Sequence, residues 1–231
     1  MDLAIVIPVY NEEHTIQELI EDFYKILSEQ HIHHSFFIIN DGSTDTSAQK
    51  LKELATRIPE IQLFNEKNSG HGPSLLKGYQ SALSHNWVFQ FDSDYQYTLS
   101  AFQELWAKRD QYDLLIAERE ERSASFARHW ITLVLTTVVN LFYGKGVSDI
   151  NAPYRLMRTS QLKAALQSIQ LNSFAPNTLL TAFFIKKGLR IYSTHSTLKM
   201  GNQVKKSKLS LAIGKGCVRS IFDLMTFRFK I

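Results

Sequence analysis

Five short apolar runs recur along the first half of the chain. They are Leu3-Ala4-Ile5-Val6-Ile7, Phe36-Phe37-Ile38-Ile39, Ile61-Gln62-Leu63-Phe64, Trp87-Val88-Phe89-Gln90-Phe91 and Asp113-Leu114-Leu115-Ile116-Ala117. Runs with little polar alternation are those of strands buried on both faces. Apolar residues at helical spacing lie between them: Ile16, Leu19, Ile20, Phe23 and Leu27, then Ala48, Leu51 and Leu54, then Leu76, Tyr79 and Leu83. Strand alternating with helix predicts an α/β fold with a mostly parallel central sheet and helices on both faces. Locally, Pro8 should stop the first strand, and Asn11 should cap the first helix with Glu12 and Glu13 in its opening turn. Pro73 should be the first residue of the third helix.

Ligands of such sheets bind beyond the carboxyl ends of the strands. Tyr10, Asp41, His71 and Asp92 all fall there. The fourth strand runs directly into Asp92-Ser93-Asp94-Tyr95-Gln96. At a sharp turn, carboxylates spaced i, i+2 can reach one point in space, an unfavourable arrangement unless a cation lies between them. A hard divalent ion suits such oxygen ligands, with Gln96 as a neutral third donor. A solvated acidic turn is the alternative reading. The chain has no Gly-x-Gly-x-x-Gly after its first strand and no Gly-x-x-x-x-Gly-Lys-Ser/Thr. A nucleotide would therefore have to be held by strand-end loops and a metal.

At 231 residues the chain has material for one sizeable domain, and its net charge is a modest +4. The charge is uneven. From Lys199 onward there are Lys199, Lys205, Lys206, Lys208, Lys215, Arg219, Arg228 and Lys230 against one acid, Asp223. Such a tail suits an anionic surface or phosphate. Cys217 is the sole cysteine, which rules out an intrachain disulfide and fits a reducing, cytoplasmic setting. No run approaches the roughly 20 apolar residues of a membrane span. His31, His33 and His34 read as a solvated surface loop, and Trp87 and Trp106 as core.

Four ordered motifs carry a resemblance: Ile7-Pro8-Val9-Tyr10-Asn11-Glu12-Glu13, Asn40-Asp41-Gly42-Ser43-Thr44-Asp45, Gly70-His71-Gly72-Pro73 and Asp92-Ser93-Asp94-Tyr95-Gln96. Val147–Met157, Phe174-Ala175-Pro176-Asn177 and Lys186–Arg190 extend it, so that it covers roughly residues 3 to 208. The chain resembles family 2 glycosyltransferases of the GT-A fold, and among them the dolichyl- or polyprenyl-phosphate sugar transferases. The resemblance implies a GT-A domain over 1–208 followed by a basic amphipathic segment, 209–231. It implies that Pro8, Tyr10 and Glu12 line a base and ribose pocket, with Ile39 and Asp41 on its other wall and His71 and Ser93 nearby. Asp92 and Asp94 would hold Mg²⁺ or Mn²⁺ on the diphosphate, with Gln96 as third ligand. Arg119, Arg128 and Lys208 would grip donor or acceptor phosphates. Where the family usually has a further Arg, this chain has Asn202, and Lys199 or Lys205 could take its place.

The implied reaction is inverting transfer of a sugar from GDP-mannose or a UDP-hexose to a polyprenyl phosphate. A phosphate acceptor is already anionic and needs no strong base; a saccharide hydroxyl would, and Asp149 is then the base. A non-catalytic nucleotide-sugar-binding subunit is a further alternative. The expected partners are the nucleotide sugar, the lipid acceptor, the cytoplasmic face of a membrane contacted peripherally and a membrane-protein subunit; no nucleic acid is expected. Ile213, Val218, Ile221, Phe222, Met225 and Phe229, set among Lys215, Arg219, Arg228 and Lys230, suit an interfacial helix or one packed on the acceptor side of the domain.

Overall fold

The computed structural model describes residues 2–119, 126–197, 199 and 211–231; the side chains of 119, 126–132, 211–215 and 217 fall outside the description. The element order is β1 (Leu3–Val9), α1 (Ile16–Glu29), β2 (His34–Asn40), α2 (Ser47–Arg57), β3 (Ile61–Asn65), α3 (His71–Ser81), β4 (Trp87–Gln90), α4 (Ser100–Lys108), β5 (Leu114–Arg119), α5 (Phe126–Phe142), β6 (Tyr154–Arg158), α6 (Thr159–Leu166), α7 (Pro176–Lys186), β7 (Ile191–Ser196) and α8 (Leu211–Phe227). The strands form one seven-stranded sheet in the order β3-β2-β1-β4-β6-β5-β7. Only β6 runs against its neighbours, antiparallel to both β4 and β5. The expected α/β architecture, mostly parallel and covered on both faces, is therefore present.

The strand β1 is buried throughout and divides its side chains between two cores. Leu3, Ile5, Ile7 and Val9 pack with α1, α2 and α4, whereas Ala4 and Val6 pack with α3 and the helices of the second half. Pro8 does not stop this strand, which continues in register with β2 to Val9↔Asn40. Pairing with β4 ends at Val6↔Gln90, so the missing Pro8 N–H faces the side where β4 has already turned away. The third helix sits close on the sheet. A Cβ on Gly78 would come within 2.4 Å of Val6 Cγ1 and 3.0 Å of Ile39 Cδ1.

Three local expectations are corrected. Asn11 does not cap α1, whose N-cap is Thr15. It adopts φ 54°, and its side chain accepts from Thr44 N at 2.8 Å, joining the two strand-end loops. Pro73 is the third residue of α3, not the first. It is tolerated because first-turn N–H groups have no intrahelical acceptor. His34 is not in a surface loop but opens β2, and its Nδ1 lies 2.7 Å from the Ile32 carbonyl. His31 and His33 are exposed. Trp87 is buried, and Trp106 stacks on Phe102, as core residues do.

Beneath the end of β4 lies an aromatic floor. Phe89 and Phe91 meet Tyr154 at ring-centroid distances of 5.1 and 5.0 Å, and both also pack edge-on to Phe23. Edge-to-face pairs of this kind contribute about 0.5–1.5 kcal/mol each beyond their burial. The floor fixes the point from which Asp92 leaves the sheet. Among the described residues no helix is long and apolar enough to cross a membrane.

Candidate active site

The carboxyl ends of β1, β2 and β4 open onto a cavity of about 390 Å³. Its lining is Pro8, Val9, Tyr10, Glu12, Asp41, Asn68, Gly70, His71, Ser74, Asp92, Ser93 and Asp94. Eight of the residues expected at the site thus share one wall or another of a single cavity. Ile39 does not. Its side chain is fully buried in the core under α3, where the helix approaches through Gly78. Val9 and Gly70 belong to motifs that the sequence shows, whereas Asn68 and Ser74 join the lining only through the fold.

Loop-to-loop hydrogen bonds give the cavity its shape. Asp41 is buried, and its Oδ1 accepts from Ser69 N at 2.8 Å while its Oδ2 accepts from Gly70 N at 2.9 Å. It therefore clasps the loop that enters α3 as well as lining the cavity. Gly70, at φ 94°, turns the chain into α3, whose amino end borders the cavity. Glu13 accepts from Thr46 N and Thr46 Oγ1 at 3.0 and 2.6 Å, while Asp45 Oδ2 accepts from Glu13 N at 3.2 Å. The Thr46 hydroxyl and amide hold the Glu13 carboxyl below its ordinary pKa. This reciprocal pair ties the turn before α1 to the turn before α2.

The acidic motif is held just as firmly. Thr15 Oγ1 donates to Ser93 O at 2.9 Å. Asp92 Oδ1 accepts from Gln90 Nε2 at 3.0 Å and lies 3.8 Å from His71 Nε2. Tyr95 takes the left-handed conformation, φ 48°, and its hydroxyl donates to Asp22 Oδ2 at 2.5 Å. Burial, with Asp22 beside it, pushes the Tyr95 phenol well above its usual pKa, so it stays a donor. The Lys199 ammonium caps the Tyr95 ring at 3.5 Å and pairs with Glu18 at 2.8 Å. Lys199 is thus engaged with the acidic motif's supporting side chains.

Asp92, Asp94 and Gln96 also share a small adjoining cavity with Phe91, Tyr97, Pro153 and Tyr154. Among the described residues no group of three or more His, Cys, Asp or Glu could hold a metal ion unaided. Two carboxylates and an amide that need substrate oxygens to complete a shell fit Mg²⁺ or Mn²⁺ carried on a diphosphate. Asp149 is buried, its Oδ1 accepting from Asn151 N at 3.3 Å, and it is not part of the 390 Å³ cavity's lining. Arg119 ends β5 at the same edge of the sheet as Asp92. Its side chain and that of Arg128 lie outside the described residues, as do Lys205 and Lys208 altogether.

A family model described as glycosyl transferase family 2 matches residues 4–165. The chain belongs to glycosyl transferase family 2. It is a glycosyltransferase, and its fold is the GT-A fold. The undecaprenyl-phosphate 4-deoxy-4-formamido-L-arabinose transferase of Proteus mirabilis is 26% identical over 227 residues, 97% of this chain and 67% of that protein. The chain thus spans about two thirds of the length of that relative. Among solved structures, the mannosyl-3-phosphoglycerate synthase of Rubrobacter xylanophilus superposes with a TM-score of 0.70 at 10% identity, over 97% of this chain and 73% of that one. The glucosyl-3-phosphoglycerate synthase of Mycobacterium tuberculosis, solved with Mn²⁺, UDP and phosphoglyceric acid, gives 0.68 at 15% identity, over 98% and 78%. At these identities the two structures speak to the fold.

Proposed function

We propose that this glycosyltransferase moves a sugar from a nucleoside-diphosphate sugar to a polyprenyl phosphate, with inversion. The observation that carries the reading is the convergence of three strand-end loops and the Asp92–Asp94 turn on one cavity. Pro8, Tyr10, Glu12 and Asp41 form the end of that cavity suited to base and ribose. The diphosphate would lie between the amino end of α3 at Gly70–His71 and the two carboxylates, since helix amino ends favour anions. Asp92 and Asp94, with Gln96, would hold Mg²⁺ or Mn²⁺, which when bound supplies charge neutralisation for the departing nucleoside diphosphate. His71 would serve the same phosphate as a further donor. Arg119, Arg128 and Lys208 are proposed to share the leaving-group and acceptor phosphates.

The polyprenyl phosphate acceptor is supported by the likeness to the Proteus transferase over nearly the whole chain. A lipid acceptor implies a membrane surface, and one face of the molecule suits it. Val218, Phe222 and Met225, 70, 66 and 47% exposed, repeat on the outer side of α8, with Arg219 beside them; Phe229, 89% exposed, follows just past the helix between Arg228 and Lys230. The other side of α8 packs on α5 and α7, burying Leu224 and Phe227. The face reads as an interfacial, peripheral contact.

Transfer to a saccharide hydroxyl is the second reading. The burial of Asp149 and its bond to the Asn151 amide disfavour it, because a base must reach the proton it removes. The deciding experiment is transfer of radiolabelled sugar from UDP- and GDP-sugars to undecaprenyl phosphate, with Mn²⁺ and with chelator. Product that forms only with the metal and is lost in Asp94→Asn supports the proposal. Transfer to sugar hydroxyls that collapses in Asp149→Asn supports the second reading, and binding of a nucleotide sugar without turnover on any acceptor refutes both.

A further inference from the structure

A chain of buried polar side chains runs from the cavity into the second half of the molecule. Gln90, the last residue of β4, is fully buried; its Nε2 donates to Asp92 Oδ1 at 3.0 Å, and its Oε1 accepts from Asn177 Nδ2 at 3.0 Å. Asn177, 2% exposed in the first turn of α7, accepts at Oδ1 from the Tyr79 hydroxyl at 2.7 Å. Its own carbonyl accepts from Arg155 Nη1 at 3.0 Å, and that guanidinium also reaches the carbonyls of Ala152 and Ile150. Tyr79 and Arg155 are fully buried. Burial pushes the Tyr79 phenol far above its usual pKa, so it remains a hydroxyl donor.

Buried polar groups this deep are costly unless satisfied, and an apolar core would be the simpler solution for stability alone. The direction of the bonds suggests what they do. Asn177 presents its NH₂ to Gln90 Oε1, which obliges Gln90 to present its own NH₂, not its carbonyl, to Asp92. With Gln90 on one side and His71 Nε2 at 3.8 Å on the other, Oδ1 of Asp92 is held from the protein side. Holding Oδ1 in this way would leave the second oxygen, Oδ2, for a ligand in the cavity.

We propose that Gln90 and Asn177 are positioning residues for Asp92. On this proposal Asn177 fixes the amide of Gln90, which fixes the carboxylate, so α7 and the nucleotide cavity are mechanically one unit. The same linkage explains why a Pro-Asn pair opens α7 in a chain whose chemistry lies at β4. The proposal rests on the reading that Asp92 serves the nucleotide diphosphate and its cation.

The test is a double-mutant cycle on Gln90→Met and Asn177→Leu, read by calorimetric titration of UDP, with GDP in parallel, in the presence of Mn²⁺. Each single variant should weaken nucleotide binding about tenfold, the worth of a hydrogen bond to a charged group. Because Asn177 acts through Gln90, Asn177→Leu should add little once Gln90 is Met. Melting temperatures without ligand, measured on all four proteins, separate a general loss of stability from the binding effect. Crystal structures of wild type and Gln90→Met give a readout that needs no ligand: the Asp92 carboxylate should turn from its wild-type rotamer. Additive binding losses, or an unmoved carboxylate with wild-type affinity, overturn the proposal. Should wild type bind neither nucleotide, the nucleotide reading fails, while the Asp92 rotamer still decides whether Gln90 positions it.

Discussion

Adding a single methyl group at Gly72 should damage both stability and catalysis. Gly72 lies in the first turn of α3, one residue beyond His71. A Cβ there would stand 2.1 Å from the Ser173 carbonyl oxygen and 2.8 Å from that of Phe174. Neither neighbour is a flexible side-chain tip. Ordinary carbon contacts sit near ~3.5 Å, so helix and loop must part by about 1 Å. Overpacking of this kind costs about 1–3 kcal/mol. For a chain of this length that is a fall in melting temperature of roughly 3–10 °C. The same displacement moves His71, 3.8 Å from Asp92, along with the amino end of α3. A misplacement near 1 Å can cost about a hundredfold in rate, and kcat/KM for sugar transfer should fall by about that factor. Gly188→Ala is the control. Gly188 has φ 61°, and a Cβ there meets nothing within 4 Å, so it carries a backbone penalty of about 1–2 kcal/mol without touching the cavity. Thermal unfolding and steady-state transfer kinetics on both variants decide the matter. If Gly72→Ala loses stability like Gly188→Ala yet keeps wild-type kcat/KM, the seam between α3 and the 173–174 loop does not set the geometry of the site.

Asp41→Asn replaces an acceptor of two amide bonds with a side chain that meets one of them donor to donor, so it should cost about 1–3 kcal/mol and weaken nucleotide binding, measured by denaturant titration and calorimetry. Asp113 lies on the far edge of the sheet, between Arg158 and Arg190 at 3.3 Å each. Burial pushes its pKa up, but the hydrogen bonds and charge of Arg190, with Arg158, outweigh this and hold it below the usual value. Its contribution is therefore full above the unfolded pKa of about 3.9 and is lost as pH falls through the lower folded value. Asp113→Asn should melt several degrees lower than wild type at pH 7, with the gap closing below about pH 4 and kcat/KM unchanged. Phe222→Glu with Phe229→Glu should abolish co-flotation with anionic vesicles while nucleotide binding persists; co-flotation equal to wild type would remove α8 as the membrane contact.

What the sequence made legible follows from which interactions are local. In the first half the strands are largely apolar runs, and residues that line the cavity come after them. The positions of Tyr10, Asp41, His71 and Asp92 at one edge therefore follow from strand direction alone. Ile39 lies within β2 on the face that α3 covers and is buried there, whereas Asp41 stands just past the strand's end, where the chain has left the sheet and can face the cavity. Asn11 and Pro73 were misread because both sit where chain and helix meet, and there the choice depends on a partner loop. For Asn11 that partner is Thr44.

The second half was harder for a different reason. Its strand β6 is inserted between β4 and β5 and reversed, so Tyr154-Arg155-Leu156-Met157 carries a fully buried arginine inside an otherwise apolar strand. No periodicity distinguishes such a residue from an exposed one. Its meaning appears only when β6 lies beside β4 and brings Arg155 to Asn177, two residues separated by 22 in the chain. The sheet order thus supplies what composition cannot. Inserting β6 next to β4 places the start of α7 within reach of Gln90, and through Gln90 of Asp92, two residues past the strand. The reversal of one strand is the physical reason that a polar path can join the second half of the chain to the cavity built by the first.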